Sequence, residues 1–406
     1  MAWESVPFSQ LYAAESRNGL TKPSKVRGSG FKMINMGELF ANDRIYDIPM
    51  ELVPLTDSEK KNCQVSIGDL LFARQSLVLE GAGKCSIVMD VSPLTVFESH
   101  LIRVRLNKQV ANPLFYYYYF RSALSPIKTI VSQCAQAGIR GSDLQGLSVI
   151  FPPIEVQNGI AGILSAYDDL IETNQRQIKL LEEAAQRLYR EWFVDLRFPG
   201  HESVPAVDGV PEGWKVDRAD SFFDITIGKT PPRAEKQWFV NGNVGVPWVS
   251  ISDMGDSGTY IFMTSEGLTK EAIERHNIKV VPAGTVFVSF KLTVGRVSIA
   301  TAPMCTNEAI AHFRITDQSL REYTFSYLKE FEYDELGNTS SISKAVNSKI
   351  IKALRFIMPD AQTLEAYSRI AAPVFYKIFS LQALNQRLTE ARDRLLPKLM
   401  SGEIVV

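Results

Sequence analysis

The sequence predicts an α+β protein made of two copies of one unit. Each unit is a mixed α/β globular segment followed by a long helix, and the two helices pair as an antiparallel coiled coil within an internal pseudo-twofold repeat. Three observations predict this. Residues 152–193 and 359–400 align at a shift of 207, the distance from Pro152 to Pro359, and the same shift superposes Ile163 on Ile370, Ile171 on Ile378, Leu181 on Leu388 and Arg187 on Arg394. Both stretches carry an apolar seam stepping alternately by four and three. The segments before them repeat a strand signature, residues 67–72 resembling residues 283–288. A period this long is a duplicated half-protein and not a solenoid repeat.

Composition bounds the rest. A chain of 406 residues is long enough for two or three cores. The formal charge of −1 excludes a globally basic surface, so any basic surface is local. Cys63, Cys85, Cys134 and Cys305 are far apart and form no CxxC pair, which supports neither a zinc site nor a disulfide framework. The first residues lack the charged and apolar regions of a signal peptide. The aromatic run at 114–120 is far too short to span a bilayer and reads as a buried helix or strand. The expected setting is soluble, reducing and cytoplasmic, with no membrane contact.

Along the chain, residues 1–152 read as the first globular segment, with strand-like runs at 69–72, 85–90 and 101–106 bounded by turn formers. Residues 153–197 read as one helix. The linker, 198–213, holds Pro199, Gly200, Pro205, Gly209, Pro211 and Gly213, and can be neither helix nor central strand. Residues 214–358 form the second globular segment, and 359–406 the second helix with its tail. The approach to each helix also recurs: Ile139, Leu144, Leu147 and Ile150 match Val346, Ile351, Leu354 and Ile357.

The first seam runs Ile160, Leu164, Tyr167, Ile171, Asn174, Ile178, Leu181, Ala185, Leu188 and Trp192. The second runs Tyr367, Ala371, Val374, Ile378, Leu381, Asn385, Leu388, Arg392, Leu395 and Leu399. A narrow seam wants one partner helix, and each copy supplies it for the other. Sustained 3.5-residue periodicity argues against helices that only pack on their own domains, where the period drifts to about 3.6. Each seam holds one asparagine, Asn174 or Asn385. A polar residue there costs stability but fixes register. Pro373 predicts a kink or a fresh start near Val374, and Pro397 predicts termination.

No catalytic constellation emerges. Gly228-Lys229-Thr230 resembles the end of a phosphate loop, but Phe223 occupies the place of its first glycine and Pro231 and Pro232 follow where a helix must begin. Gly81-Ala-Gly-Lys84 fails similarly, with Val78 and Cys85 in the critical places. Both read as turns. Glu59-Lys60-Lys61 fits the tail of a metal-nuclease pattern without an evident acidic partner. His100, His201, His276 and His312 are scattered and read as surface or packed residues rather than metal ligands.

Basic loops are more telling. Residues 17–32 carry Arg17, Lys22, Lys25, Arg27 and Lys32 with no acid, and 121–140 and 340–355 also lack acids. The second half offers Lys229-Thr-Pro-Pro-Arg233 at the matching place. Such loops suit a phosphate backbone and base edges. From charge and loop position, the candidates for contact with DNA are Lys22, Lys25, Arg27, Arg74 and Arg140 in the first half, and Lys229, Arg233, Lys291, Arg296 and Lys344 in the second.

Over essentially its full length the chain resembles the specificity subunit of type I restriction–modification systems. The resemblance is carried by Phe151-Pro-Pro-Ile-Glu-Val-Gln157, Ile160-Ala-Gly-Ile-Leu-Ser-Ala-Tyr-Asp-Asp169, Leu180-Leu-Glu-Glu-Ala-Ala185, Glu191-Trp-Phe-Val-Asp195 and Leu396-Pro-Lys-Leu-Met-Ser-Gly-Glu-Ile404. Pro211-Glu-Gly-Trp214 and Pro247-Trp-Val-Ser-Ile-Ser-Asp253 look like the opening of a target-recognition domain. The second helix departs from the pattern at Asp360-Ala-Gln and at Pro373. The resemblance implies two target-recognition domains, each gripping one half of a bipartite site in double-stranded DNA. It implies paired helices that set the spacer and dock two methyltransferase subunits, with restriction/translocase subunits joining. The chain itself would be non-catalytic, with S-adenosylmethionine, ATP and magnesium used only in an adenine methyltransferase and endonuclease formed by the partners. From Ile160 to Trp192 the seam is roughly 50 Å long at about 1.5 Å per residue.

Three rival readings remain open, one of which keeps the recognition role but places the chain in a related system with other enzymatic partners, separable by co-purification. A coiled-coil scaffold binding protein would show no salt-dependent duplex affinity. A stand-alone nuclease using Glu59 and Lys61 would cleave with magnesium and without partners.

Overall fold

The computed structural model describes residues 3–133, 137–242, 244–336 and 346–406. Cys134 and Lys344 lie outside the described residues. The chain forms two compact units, one of Met1–Ile171 with Arg387–Val406, the other of Glu172–Gln386. Each unit therefore takes part of both long helices, and the division falls across the helices instead of at their ends.

The first unit is built on a five-stranded sheet in the order Tyr12–Asn18, Leu101–Leu106, Leu70–Ala73, Cys85–Val88, Arg44–Ile45. Neighbours are antiparallel except the last pair, which is parallel. The second unit repeats this order and these senses with Asp224–Ile227, Ile310–Arg314, Val286–Ser289, Val297–Ala300 and Tyr260–Ile261. The central strands are buried on both faces. Leu70 and Phe72 enter one core while Leu71 and Ala73 enter another; Val286 and Val288 likewise part from Phe287. Double burial is why these strands read as unbroken apolar runs and not as alternation. A smaller sheet accompanies each: Glu51–Val53, Phe31–Ile34 and Val96–Phe97 in the first unit, and Phe239–Asn241, Glu266–Leu268, Val246–Val249 and Cys305–Thr306 in the second.

The aromatic run forms the helix Pro113–Arg121, capped by Asn112, whose side chain accepts from the N–H groups of Leu114 and Phe115. Every residue from Phe115 to Phe120 is buried. Its counterpart is Arg321–Glu330. Before each long helix comes a short strand, Ser148–Ile150 paired with Ser5–Pro7, and Arg355–Met358 paired with Lys215–Arg218.

The first long helix is Ile154–Tyr189. The expected helix at 153–197 ends sooner, in a π-helical turn at Arg190–Val194 where the Asp195 N–H donates to the Arg190 carbonyl. That wider turn coincides with burial of Tyr189, Trp192 and Phe193 together, and Leu196 at φ 57° closes it. The second long helix is Ala361–Met400. A fresh start near Val374 is corrected, because this helix continues through Pro373; it ends at Met400, three residues after Pro397, as a termination near the end requires. Pro373 withholds one N–H from the exposed Arg369 carbonyl, which water can satisfy. Buried Ala371, Phe375 and Ile378 hold the turns on either side in the core.

Within each unit the two helical segments run antiparallel. In the second, Trp192 and Phe193 pack on Tyr367 with ring centroids 5.9 and 5.0 Å apart, while Asn174 donates to Asn385 at 2.7 Å. In the first, Ile160, Ala161 and Leu164 share a core with Leu399 and Met400, and Arg392 donates to Asp168 at 2.5 Å. Residues of both predicted seams are buried or half-buried throughout. The linker folds as a short hairpin, Ala206–Val207 with Val210–Pro211, turned by Asp208 and Gly209 at φ 50° and 75°.

Candidate nucleic-acid interface

Strand register gathers the candidate cations of the first half at one end of the five-stranded sheet. Leu101 pairs with Ala73 and Ile102 with Asn18, so the segments leaving at Gly19 and Arg74 emerge side by side. The Arg74 N–H donates to the His100 carbonyl at 2.8 Å, and the Arg74 carbonyl accepts from Ile139 at 2.9 Å, which brings the following Arg140 to the same end. Arg140 is exposed at the start of the helix Gly141–Gly146, beside exposed Arg17 on the neighbouring strand. That helix is tied to the strand by Gln145 donating to Ser16 at 2.9 Å.

The loop 19–30 is braced from within. Lys22 pairs with Glu59 at 2.8 Å and is largely covered. Arg27 donates to the Lys22 carbonyl at 2.8 Å and to Glu51 at 2.6 Å. Gly30, at φ 107°, passes the Val53 carbonyl so closely that a Cβ would lie 2.4 Å from it. Lys25, in the turn Ser24–Val26, stands exposed. The loop thus holds Lys22 and Arg27 in internal contacts and presents Lys25 outward.

The second half repeats the arrangement. Ile227 pairs with Ala311, Ser289 with Ile310 and Val288 with Val297, so Lys229, Lys291 and Arg296 meet at the corresponding end. The Phe290 carbonyl accepts from Val346 at 3.2 Å, as Arg74 does from Ile139. Lys229 donates to the His276 carbonyl at 2.6 Å. Arg233 sits over Phe239 and Trp248, 4.3 and 4.5 Å from the ring centroids, and pairs with Glu266 at 2.7 Å. Arg296 donates to the Ile251 carbonyl at 2.5 Å, and Lys291 sits over Phe290. Glu308 lies among them. Burial alone would raise its carboxyl pKa, but the Thr230 hydroxyl and the charges of Lys291 and Arg233 hold it below the usual carboxylate value.

The motifs set aside as turns have local structural work. Lys84 pairs with Asp43 at 3.1 Å and donates to the Phe40 carbonyl at 2.8 Å. Glu59 closes the capping box of the helix Asp57–Cys63 and pairs with Lys22, so its carboxylate is already engaged. His312 is fully buried between the Thr226 and Thr306 hydroxyls, at 3.0 and 2.7 Å. Among the described residues no group of three His, Cys, Asp or Glu is placed to hold a metal ion, and no helix is long and apolar enough to cross a membrane. Cys63, Cys85 and Cys305 are free and buried.

The duplicated α/β unit with its long helix defines the fold class, and solved structures share it. The type I restriction–modification S subunit from M. genitalium is similar over 98% of this chain and 96% of its own, with a TM-score of 0.59 at 14% identity. The family described as type I restriction modification DNA specificity domain matches residues 2–183 and 211–389, and the chain belongs to that family. The HindI specificity subunit of Haemophilus influenzae is 24% identical over 91% of this chain and 94% of its own length. The MjaIX specificity subunit of Methanocaldococcus jannaschii is 26% identical over 87% and 82%. The chain is thus a type I restriction–modification specificity subunit, and the role of its family is to recognise DNA sequence.

Proposed function

We propose that this chain reads a bipartite DNA site, with target-recognition domains at 1–152 and 214–358 each reading one half-site. The observation carrying this is the repeated sheet end. Lys25, Arg74 and Arg140 stand at one, and Lys229, Arg233, Lys291 and Arg296 at its counterpart, on loops anchored by the same backbone contact (Arg74 to Ile139, Phe290 to Val346). Exposed Lys25, Arg140, Lys229 and Arg233 on braced loops lose little freedom on meeting phosphates, while Arg74, Lys291 and Arg296 are half-buried. Lys22, Arg27 and Lys344 complete the proposed set; Lys344 lies outside the described residues.

The helices act as a coiled-coil spacer whose register is fixed by Asn174 and Asn385. Their outer faces dock two methyltransferase subunits. Exposed Ile163 and Leu170 in the first unit, and Leu180, Ile370 and Tyr376 in the second, supply apolar surface for this. Restriction/translocase subunits complete the complex, in the cytoplasm. S-adenosylmethionine, ATP and magnesium serve those partners, and this chain contributes no catalytic group.

The test is a genome-wide methylation map in a host carrying this chain with its cognate modification subunits. A two-part motif is expected. A continuous motif, or none dependent on this chain, overturns the reading.

A further inference from the structure

We propose that Leu292, and Leu77 on the corresponding loop of the first half, are apolar base-reading contacts that pack on thymine methyl groups in the major groove. This rests on the DNA-reading role proposed above. It adds a contact that a search for cations passes over.

Both leucines stand on the loop joining the two central antiparallel strands of their sheet, Leu70–Ala73 to Cys85–Val88 and Val286–Ser289 to Val297–Ala300. They are the two most exposed leucines among the described residues, at 89% for Leu77 and 80% for Leu292. Scattered exposed leucines are ordinary. The same exposure on the same loop of two diverged copies is a shared feature of the unit.

Leu292 carries a second mark. Its φ is 62°, in the left-handed region that L side chains avoid and that glycine or asparagine enters readily. The loop imposes this. Ser289 exchanges backbone bonds with Arg296 and Gly295 at 2.9 Å, its hydroxyl accepts from the Arg296 N–H at 3.0 Å, and it donates to the Thr293 carbonyl at 2.5 Å. Beneath, the Tyr333 ring lies where a Cβ on Gly295 would approach to 3.0 Å, and its hydroxyl is tied to the Leu328 carbonyl at 2.8 Å. A leucine held in a strained conformation on a rigid tip, with its side chain in water, contributes nothing to folding that asparagine would not improve.

The flanking residues indicate the partner. Lys291 stands directly beside Leu292, and Arg74 opens the first loop, which also carries Glu80. The major groove is about 12 Å wide, room enough for the tip of such a loop. The one apolar group on the base edges there is the thymine methyl. Lys291, next to the tip, can meet a phosphate while the leucine meets that methyl.

The experiment uses the chain complexed with its modification subunits, and duplexes carrying the mapped site with thymidine replaced by deoxyuridine at each position in turn. Wild type loses about fourfold in affinity at one such position in the second half-site, the worth of one buried methyl. Leu292→Asn folds with an unchanged or higher thermal midpoint, binds the thymidine duplex as weakly as wild type binds the deoxyuridine one, and ignores the methyl. Leu292→Met keeps the discrimination, and Leu77→Asn transfers the loss to the first half-site. A half-site containing no thymine in either strand, indifference of wild type to every replacement, or retained discrimination by Leu292→Asn overturns the inference while leaving the reading role intact. Absence of sequence-specific binding by wild type defeats both.

Discussion

The Asn174 side-chain amide donates to the Asn385 side-chain carbonyl across 2.7 Å, joining helices at positions 211 residues apart in the chain. Asn174 is buried, and the helix segments around the pair are otherwise held by Ile178, Leu181, Ala185 and Ile378. An apolar seam tolerates sliding by a turn, because one leucine replaces another. A side-chain hydrogen bond in that seam does not, since sliding leaves buried amides facing methyl groups.

Asn174→Leu therefore destabilises the chain by about 1–3 kcal/mol, since it removes the Asn385 carbonyl's partner within a partly buried seam. The double change of Asn174 and Asn385 to leucine recovers most of that loss, because neither amide remains to be satisfied. Urea denaturation of the two singles and the double checks this as a mutant cycle. Additive losses would show that the pair is uncoupled.

In the first unit, Tyr118 donates to Asp168 at 2.6 Å and Arg392 donates to the other carboxylate oxygen at 2.5 Å. At the same shift of 207, the second unit places Phe325 against Phe375, ring centroids 5.3 Å apart. The duplicated contact is polar in one copy and aromatic in the other. Arg392→Met consequently costs about 3 kcal/mol, as is usual for one partner removed from a buried pair. Thermal denaturation should place that loss in the first unit, and a change under 1 kcal/mol would contradict the account.

His312 titrates with a defined sign. Burial lowers its pKa from 6.5 to about 4. Thr306 donates its hydroxyl to the Asn307 carbonyl, so it accepts from the His312 Nε2–H, and Thr226 donates to Nδ1. The neutral ring is thereby satisfied. Below pH 6.5 the unfolded chain takes a proton that the folded chain refuses, so stability falls with acid from pH 6.5 to about 4, by about 1.4 kcal/mol per pH unit. His312→Gln should remove that increment from the pH dependence of the unfolding free energy. An unchanged slope would show that His312 is protonated in the fold.

Neutralising Lys25 or Arg140 weakens duplex binding similarly for all sequences and lowers the salt slope by about one unit each. Arg233→Ala removes a guanidinium held against two aromatic rings and Glu266, and alters preference in the second half-site alone. Affinities measured across a salt series, on specific and scrambled duplexes, separate the two behaviours. An unchanged slope in Lys25→Ala would remove it from the interface.

Periodicity made the helices legible, because the 207-residue shift and the four-three steps depend on the helix repeat alone. The strands at 101–106 were equally readable, since turn formers bound them. Pro373 does not begin a new helix, because local propensity says nothing of the buried Ala371 and Phe375 that carry the helix past it. The π-turn at Arg190–Val194 left no mark in the periodicity. Candidate cations could be gathered by charge, but whether a lysine faces inward depends on distant partners: Lys22 meets Glu59 and Lys25 does not. Leu292 was invisible for another reason, because a lone leucine in a polar loop has no pattern, and its meaning lies in a positive φ and in the matching loop of the other half.

The central claim is that the helix pair sets the distance between two readers. Four residues inserted into both helices, one insertion within 175–185 and its counterpart within 374–384, followed by a methylation map, test it most directly. The account predicts an altered spacer between unchanged half-sites. An unaltered spacer, with the same half-sites still methylated, would contradict it.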